Sequence, residues 1–591
     1  MRLVDHEMHA ILAGPLGVIA NRRNTLTRTC RIPSEILGQI FLHYKRTLLG
    51  SCLFQKSKER RFALYGTMLW WVPAVAHVCR HWRTVAFQTP KLWTHIALHL
   101  GRTCALRMLT LSRALPITIA MNDPHPCEGS IVPVFWGWFP KRGPLKLDPI
   151  YVLSNHLFHI QNLELGACSC TARRWVRLLE TSAPLLETVW MRINSHRPDS
   201  RRSSDLPVAL PCNFLATHPR LRRVIIENAF FSSWSLGIHP PSQLVVFSIT
   251  APNPNQTSER SLLALPTHRQ LLDCFSLMPA LEELALEHCL PFYYLNRPLW
   301  PRPVSLPRLR ALTLQDHSDR CYQMLMSLSI PPTTTVKALL WNRSPLPNLR
   351  FLLILLPLLP QLSFTSPAIP TGRSGMLVSV KGGPRALSLS STHDDGNTIA
   401  LSVWHKFTPP SAAVAREEYA GPLSTPDVRL DYKRESGDTD MEHRALLRAC
   451  MTFPLVDLQM LSVRAEASRW SALDLYMTFA ACPVITHVLV FGGVGERLLS
   501  ALEQYAGTGG AYSPTLFPEL ASLTLVGIDF VRMDGAASRI LLTALRRRQT
   551  SCGCVKTLNR IELRKCVVKK EMVALLIEFS VVVVWDKVTG P

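Results

Sequence analysis

Few residues in this chain have the types and spacing that chemistry requires. Cys168 and Cys170, and again Cys552 and Cys554, stand one residue apart. A zinc site uses pairs with a longer spacer and further Cys or His ligands. Neither pair has these, so both read as core or turn cysteines. His95 and His99 lie in a run, Leu92 to His99, that alternates as a strand does. That puts them on one exposed face with no carboxylate beside them, as surface histidines. Gly492, Gly493 and Gly495 follow the apolar run Ile485 to Phe491 and precede a helical pattern from Glu496 to Tyr505. This is the order a phosphate-cradling loop needs, but the dinucleotide spacing and the P-loop lysine are missing. A strand-to-helix turn explains the glycines. There is no G-x-S-x-G and no H-E-x-x-H. The expectation is a protein that is not an enzyme, with no catalytic residue, no metal and no cofactor.

The informative residues are apolar ones in two short helical patterns. Pro33 suits the first turn of a helix, where its missing N–H costs nothing, and Ser34 and Glu35 suit the same turn. Ile36, Leu37, Ile40 and Phe41 then form a stripe too wide for a lone exposed helix. Farther on, Val75, Val78, Cys79, Trp82 and Ala86 recur at three- and four-residue steps, with Arg80, His81 and Arg83 on the polar side. Thr89-Pro90 ends that pattern, and Leu92 and Trp93 follow as large apolar anchors. Two such helices bury too little surface alone, so they need each other and a partner.

Those two blocks, Ile32, Pro33, Glu35, Ile36, Leu37, Ile40, Phe41 and then Val78, Cys79, Arg80, Trp82, Arg83, Leu92, Trp93, resemble an F-box, in the right order over residues 31 to 93. The Thr-Pro-x-Leu-Trp ending is most similar to the large F-box families of mushroom-forming fungi. The resemblance implies docking onto the Skp-type adaptor of a cullin-RING ubiquitin ligase. It makes Ile32, Pro33, Glu35, Ile36, Leu37, Ile40, Phe41, Val78, Cys79, Trp82, Leu92 and Trp93 the adaptor-binding residues. One departure from a compact F-box is a basic, irregular stretch after Phe41-Leu42, running to about Tyr65, which leaves the middle helix unplaced.

The remainder repeats. A proline followed by apolar residues at +2, +5 and +7 occurs from Pro184, Pro219, Pro279, Pro307, Pro347, Pro483 and Pro518. The same apolar spacing without the proline starts at Ile160, Leu244, Leu458 and Leu558. The last two apolar positions lie two apart, on one face of a short strand, and the spacing resembles the L-x-x-L-x-L of leucine-rich repeats. Helical patterns precede several copies, as at Leu271, Leu272, Phe275 and Met278, so the unit is helix, proline turn, strand. Intervals of 28, 35 and 40 residues between matched prolines are irregular. The expected fold class is α/β: a small helical F-box, then an irregular leucine-rich-repeat-like solenoid with a parallel sheet. The expected divisions are a tail over 1–30, an F-box-like helical domain with a basic insertion over 31–100, and the repeat region over 101–591. That region has a loop-rich interruption at about 363–449, in which Ala386–Ser390 and Ile399–Trp404 still read as strands.

Composition fits this picture. Apolar residues make up 47% of the 591, enough for a continuous core, and 45 prolines suit frequent turns. The apolar run Phe351 to Pro360 is cut by prolines and is too short to span a membrane. Acidic residues precede the apolar stretch from Ile11 to Ala20, where a signal peptide would be basic. The expected location is cytoplasmic, nuclear or both, with the 16 cysteines mostly reduced. Of the net charge of +23, residues 1–110 carry +12, from 16 basic and 4 acidic residues. The expected role is a substrate-recognition adaptor of an SCF-type ubiquitin ligase, with partners being the Skp-type adaptor, through it a cullin, and an unknown target protein. Two alternatives stand beside it: a protein-interaction scaffold without ubiquitin transfer, and a nucleic-acid-associated factor using the basic end.

Overall fold

A computed structural model describes residues 27–53, 71–98, 102–122, 154–194, 208–252 (without 212, 232, 233 and 235–240), 265–291, 303–341 (without 332), 385–392, 398–404, 428–433, 455–464, 470–505, 515–550, 555–579 and 581–586, together with residues 18, 22, 23 and 450. It is mixed α/β, and the chain divides into two compact units, Met1–Leu281 and Glu282–Pro591.

The first unit opens with helices α1 (Ser34–Leu53), α2 (Trp71–Ala76) and α3 (Arg80–Gln88), and then β1 (His95–Ala97). Helix α4 (Arg102–Ser112), β2 (Ile117–Asn122), β3 (Ile160–Cys168), α5 (Ser169–Leu178), β4 (Thr188–Asn194), β5 (Val208–Leu210), α6 (Phe214–Thr217), β6 (Arg223–Glu227), β7 (Ala229–Phe231), β8 (Val246–Thr250) and α7 (His268–Ser276) complete it. Strands β1, β2, β3, β4, β6 and β8 pair in that order, all parallel. Their register puts Ile96, Ile119, Leu163, Val189, Val224 and Phe247 in one column, every one buried.

The second unit runs β9 (Glu283–Glu287), β10 (Val304–Ser305), β11 (Ala311–His317), α8 (Ser318–Met326), β12 (Leu328–Ser329), β13 (Thr335–Trp341), β14 (Ala386–Thr392), β15 (Thr398–Trp404) and β16 (Val428–Lys433). It continues with β17 (Met460–Arg464), α9 (Ala472–Phe479), β18 (His487–Phe491), α10 (Gly493–Gln504), β19 (Ser522–Val526), α11 (Arg532–Thr550), β20 (Arg560–Arg564), α12 (Lys570–Glu578) and β21 (Val582–Trp585). Its sheet order is β9, β11, β13, β16, β15, β14, β17, β18, β19, β20, β21. Every pairing is parallel except those of β15, which is antiparallel to β14 and β16. From β13 the chain therefore reaches a place three strands on, and β15 and β16 fill the two-strand gap backwards. The expected interruption is where this reversal sits, and both strands expected within it are present as β14 and β15.

The proline-led spacing marks real strands. The +5 and +7 residues of ten copies lie on parallel strands and are buried: Leu284 and Leu286, Leu312 and Leu314, Leu523 and Leu525 among them. The residues between, Ala285, Thr313 and Thr524, are half-exposed. The copy at Pro347 lies outside the described residues. Helices meet these strands through capped starts. Thr267 accepts from Gln270 N while the Gln270 side chain accepts from Thr267 N, and Ser471 with Asp474 does the same before α9.

One backbone device recurs where strands end. Asn228, His288, Gly492, Gly527 and Lys565 all have positive φ, between 51° and 68°. Each stands two residues beyond the +7 position. This conformation turns the N–H toward the next strand: Asn228 N donates to Thr250 O at 2.7 Å, His288 N to Gln315 O at 2.7 Å, Gly492 N to Val526 O at 2.8 Å and Gly527 N to Arg564 O at 2.8 Å. After β20 the acceptor is instead the Asp586 carboxylate, taking the Lys565 N–H.

Two expectations follow. Leu312→Asp places an unpaired charge in the buried column and should abolish cooperative unfolding or aggregate the chain, whereas Thr313→Arg on the other face should leave the melting curve within a degree or two; thermal circular dichroism with light scattering separates them. Gly527→Val forces a branched side chain into the left-handed region at φ 68° and should cost about 1–2 kcal/mol in denaturant titration.

Candidate partner-docking surface

Helix α1 begins at Ser34, the residue after the proline, where Leu37 N donates to Pro33 O at 2.9 Å. A short 3-10 turn, Arg28–Arg31, precedes it. The wide apolar stripe proves to be two columns with different fates. Leu37, Phe41, Leu42 and the stem of Lys45 are buried. Ile36, Ile40 and Tyr44, at successive i+4 steps, are 54%, 46% and 40% exposed. Three large apolar side chains therefore lie in one line on solvent.

The second block is two helices rather than one continuous pattern. His77 to Cys79 separate α2 from α3, and Cys79 caps α3 by accepting from Trp82 N at 3.4 Å. Val78 sits in this break and is 55% exposed. Cys79 is buried, its sulfur 3.7 Å from Cys30 Sγ, and both cysteines are free thiols. The Trp82 ring packs on Phe41 with centroids 5.1 Å apart. Leu92 and Trp93 are buried, Trp93 against Trp71 at 5.2 Å and Phe87 at 5.6 Å, and its Nε1 donates to Ala86 O at 2.8 Å. Arg83 Nε donates to Ala76 O at 2.8 Å and so ties α3 to α2.

The twelve expected adaptor-binding residues therefore divide. Pro33, Glu35, Ile36, Ile40 and Val78 are exposed, and Ile32 and Trp82 half-exposed. Leu37, Phe41, Cys79, Leu92 and Trp93 lie in the core, where they hold the helices together and are not presented at the surface. Leu37 does not belong to an exposed stripe; the third exposed position is Tyr44, which the motif did not single out.

His95 is half-buried and not on an open face. Its Nδ1 lies 3.1 Å from Lys45 Nζ, which donates as well to Leu92 O at 2.7 Å, so the ammonium links α1, the turn before β1 and β1 itself. Burial pushes Lys45 down to about 8. Burial, helped by the Lys45 charge, holds His95 down at about 3. Nothing in the spacing of either residue announces this contact across fifty positions.

Of the remaining candidates, the glycines after β18 are described. Gly495 belongs to the first turn of α10, and a Cβ there would collide with Ile528 Cδ1, so close packing accounts for that glycine; Gly492 is the positive-φ residue after β18. The side chains of Cys168, Cys170, Cys552 and Cys554, and His99, lie outside the described residues. Among the described residues no three His, Cys, Asp or Glu side chains are grouped to hold a metal, and no helix is long and apolar enough to cross a membrane.

The Lys45–His95 contact sets a pH dependence. The unfolded imidazole titrates near its ordinary 6.5 and the folded one near about 3, so the folded state binds fewer protons between them. Its contribution is complete above pH 6.5 and is lost as pH falls toward 3. Urea midpoints measured at pH 7 and pH 5 should drop more for the natural protein than for His95→Gln, which keeps an acceptor for Lys45 and cannot protonate; equal drops would remove His95 from the acid response.

Compared with protein-family models and with curated proteins, the sequence gives no match to either.

Proposed function

We propose that this protein is a substrate-recognition adaptor of an SCF-type, cullin-RING ubiquitin ligase. In this reading the amino-terminal helices are an F-box that docks on the Skp-type adaptor, the parallel strands belong to a leucine-rich-repeat-like solenoid that holds a target, and ubiquitin transfer is the work of other subunits. The observation that carries it is the line Ile36, Ile40 and Tyr44, exposed on a helix whose adjacent face is sealed by Phe41, Trp82 and Trp93. A helix so anchored keeps its apolar outer face fixed for a partner and pays little ordering entropy on binding. Ile36 and Ile40 are positions of the F-box pattern. The repeat reading draws on the buried +5 and +7 columns and on Cys289 and Cys566. Each stands where the repeat pattern L-x-x-L-x-L-x-x-N/C places its asparagine or cysteine, and Cys566 Sγ donates to Leu525 O at 3.3 Å across the strands.

Docking is tested by replacing only exposed residues. Ile36→Asp with Ile40→Asp should lower affinity for a purified Skp-type adaptor about a thousandfold, from about 2 kcal/mol for each anchor, with an unchanged melting curve. Leu37→Ala, by contrast, should lose about 2–5 kcal/mol of stability through a core cavity. Adaptor binding unaffected by the double substitution would overturn the docking assignment. Absence of a cullin from complexes purified with the natural chain would favour the scaffold without ubiquitin transfer.

A further inference from the structure

The outward face of the second unit changes character along its sheet. On β9 it carries Glu283 and Glu287, and on β11 the uncharged Thr313 and Gln315. On β17 and β20 it carries three arginines, Arg464, Arg560 and Arg564, against one acid, Glu562. Glu562 is buried and already engaged: Arg560 Nη2 approaches its Oε1 at 2.5 Å, while Arg564 Nη2 and Nε donate to its Oε2 at 2.7 and 3.1 Å. The carboxylate fixes the direction of both guanidinium groups and leaves positive charge in excess.

Two of these arginines end a defined row. Phe491 is in register with Val526, and Val526 with Arg564. At the other end the Arg464 guanidinium carbon lies 5.3 Å from the centre of the Phe491 ring, and Arg464 itself is exposed. Across β17, β18, β19 and β20 the row therefore reads Arg464, Phe491, Val526, Arg564. Leu489, Met460 and Ala386, on the same face of the sheet, pack against Phe491 and Val526. Three inter-strand steps of about 4.8 Å separate the two arginines by about 14 Å, which an extended chain covers in about four residues.

We propose that this row receives an extended acidic segment of the target protein, lying across the strands, with carboxylates four residues apart on Arg464 and Arg564 and an apolar side chain between them on Phe491 and Val526. The proposal rests on the adaptor reading, in which this sheet holds the target, and names the chemistry of what it holds. Guanidinium groups fixed beforehand, one by a ring face and one by a buried carboxylate, suit charge-assisted pairing with carboxylates.

The test selects twelve-residue peptides from a random phage-displayed library on the immobilised full chain and measures the enriched peptides by fluorescence anisotropy. Acidic residues four apart around an apolar one should dominate the selection. Arg464→Glu should weaken those peptides at least tenfold, as should replacing both peptide acids by glutamine, while Arg464→Lys keeps most of the affinity; Arg464→Gln serves in place of Arg464→Glu should that variant melt lower. Failure to enrich any peptide, enrichment without the acidic spacing, or equal binding by Arg464→Glu would overturn the proposal. Adaptor binding measured on the same samples reports on α1 alone, so loss of the adaptor reading and loss of this site are told apart.

Discussion

Parallel strands bond evenly along their edges only in a fixed register, and here that register is set by two inward columns of apolar side chains. A slip of one residue would turn Leu312 and Leu314 outward and bring Thr313 and Gln315 into the core, so the column is both the source of burial and the guarantee of alignment. Residues such as Asn228, His288 and Gly527 extend the same ladder one bond past the strand end by adopting positive φ. Everything on the outward face inherits its order from this. Arg464, Phe491, Val526 and Arg564 form a row because Val463, Val490, Leu525 and Leu563 are locked beneath them.

The sequence makes this sheet readable where both inward residues are large. At β13 the same proline spacing exists, from Pro331 to Val336 and Ala338, but the +2 residue is Thr333 and the +7 residue is small, so the periodicity fades although the strand pairs along its whole length. The order of β14, β15 and β16 was not legible at all. Strand patterns record which residues face inward and carry nothing about which neighbour they join, and a hairpin inserted backwards has the same alternation as one that advances. The positive-φ positions were hidden for another reason: Asn228, His288 and Lys565 occupy a conformation that usually announces itself as glycine.

The helical surface shows how a motif conceals a division of labour. Ile36, Leu37, Ile40 and Phe41 form two adjacent columns on α1, and a helical wheel gives no reason to prefer one as the core. Tertiary contacts decide: the column of Leu37 and Phe41 meets Trp82, and the column of Ile36 and Ile40 meets solvent. Lys45 enters the core on the buried side because the carbonyl of Leu92 and the ring nitrogen of His95 receive its ammonium, a polar arrangement that hydrophobic periodicity cannot forecast.

The same accounting bears on the charge excess. Several cations are consumed inside the fold. Arg320 is buried against Asp316, with Nη1 3.1 Å from Oδ1, and also donates to Leu290 O at 3.3 Å, so it closes the turns after β9 and β11. Arg548, on α11, is buried as well. Its guanidinium donates to Leu516 O at 3.3 Å, Phe517 O at 3.0 Å and Lys556 O at 3.2 Å, fastening the turn before β19 to the turn before β20, and burial pulls it down to about 10. Loop carbonyls that no strand can reach need donors, and a guanidinium supplies several from one side chain. Such cations fasten turns inside the fold, and the cations that matter for recognition are those whose position is fixed and whose donors remain turned outward.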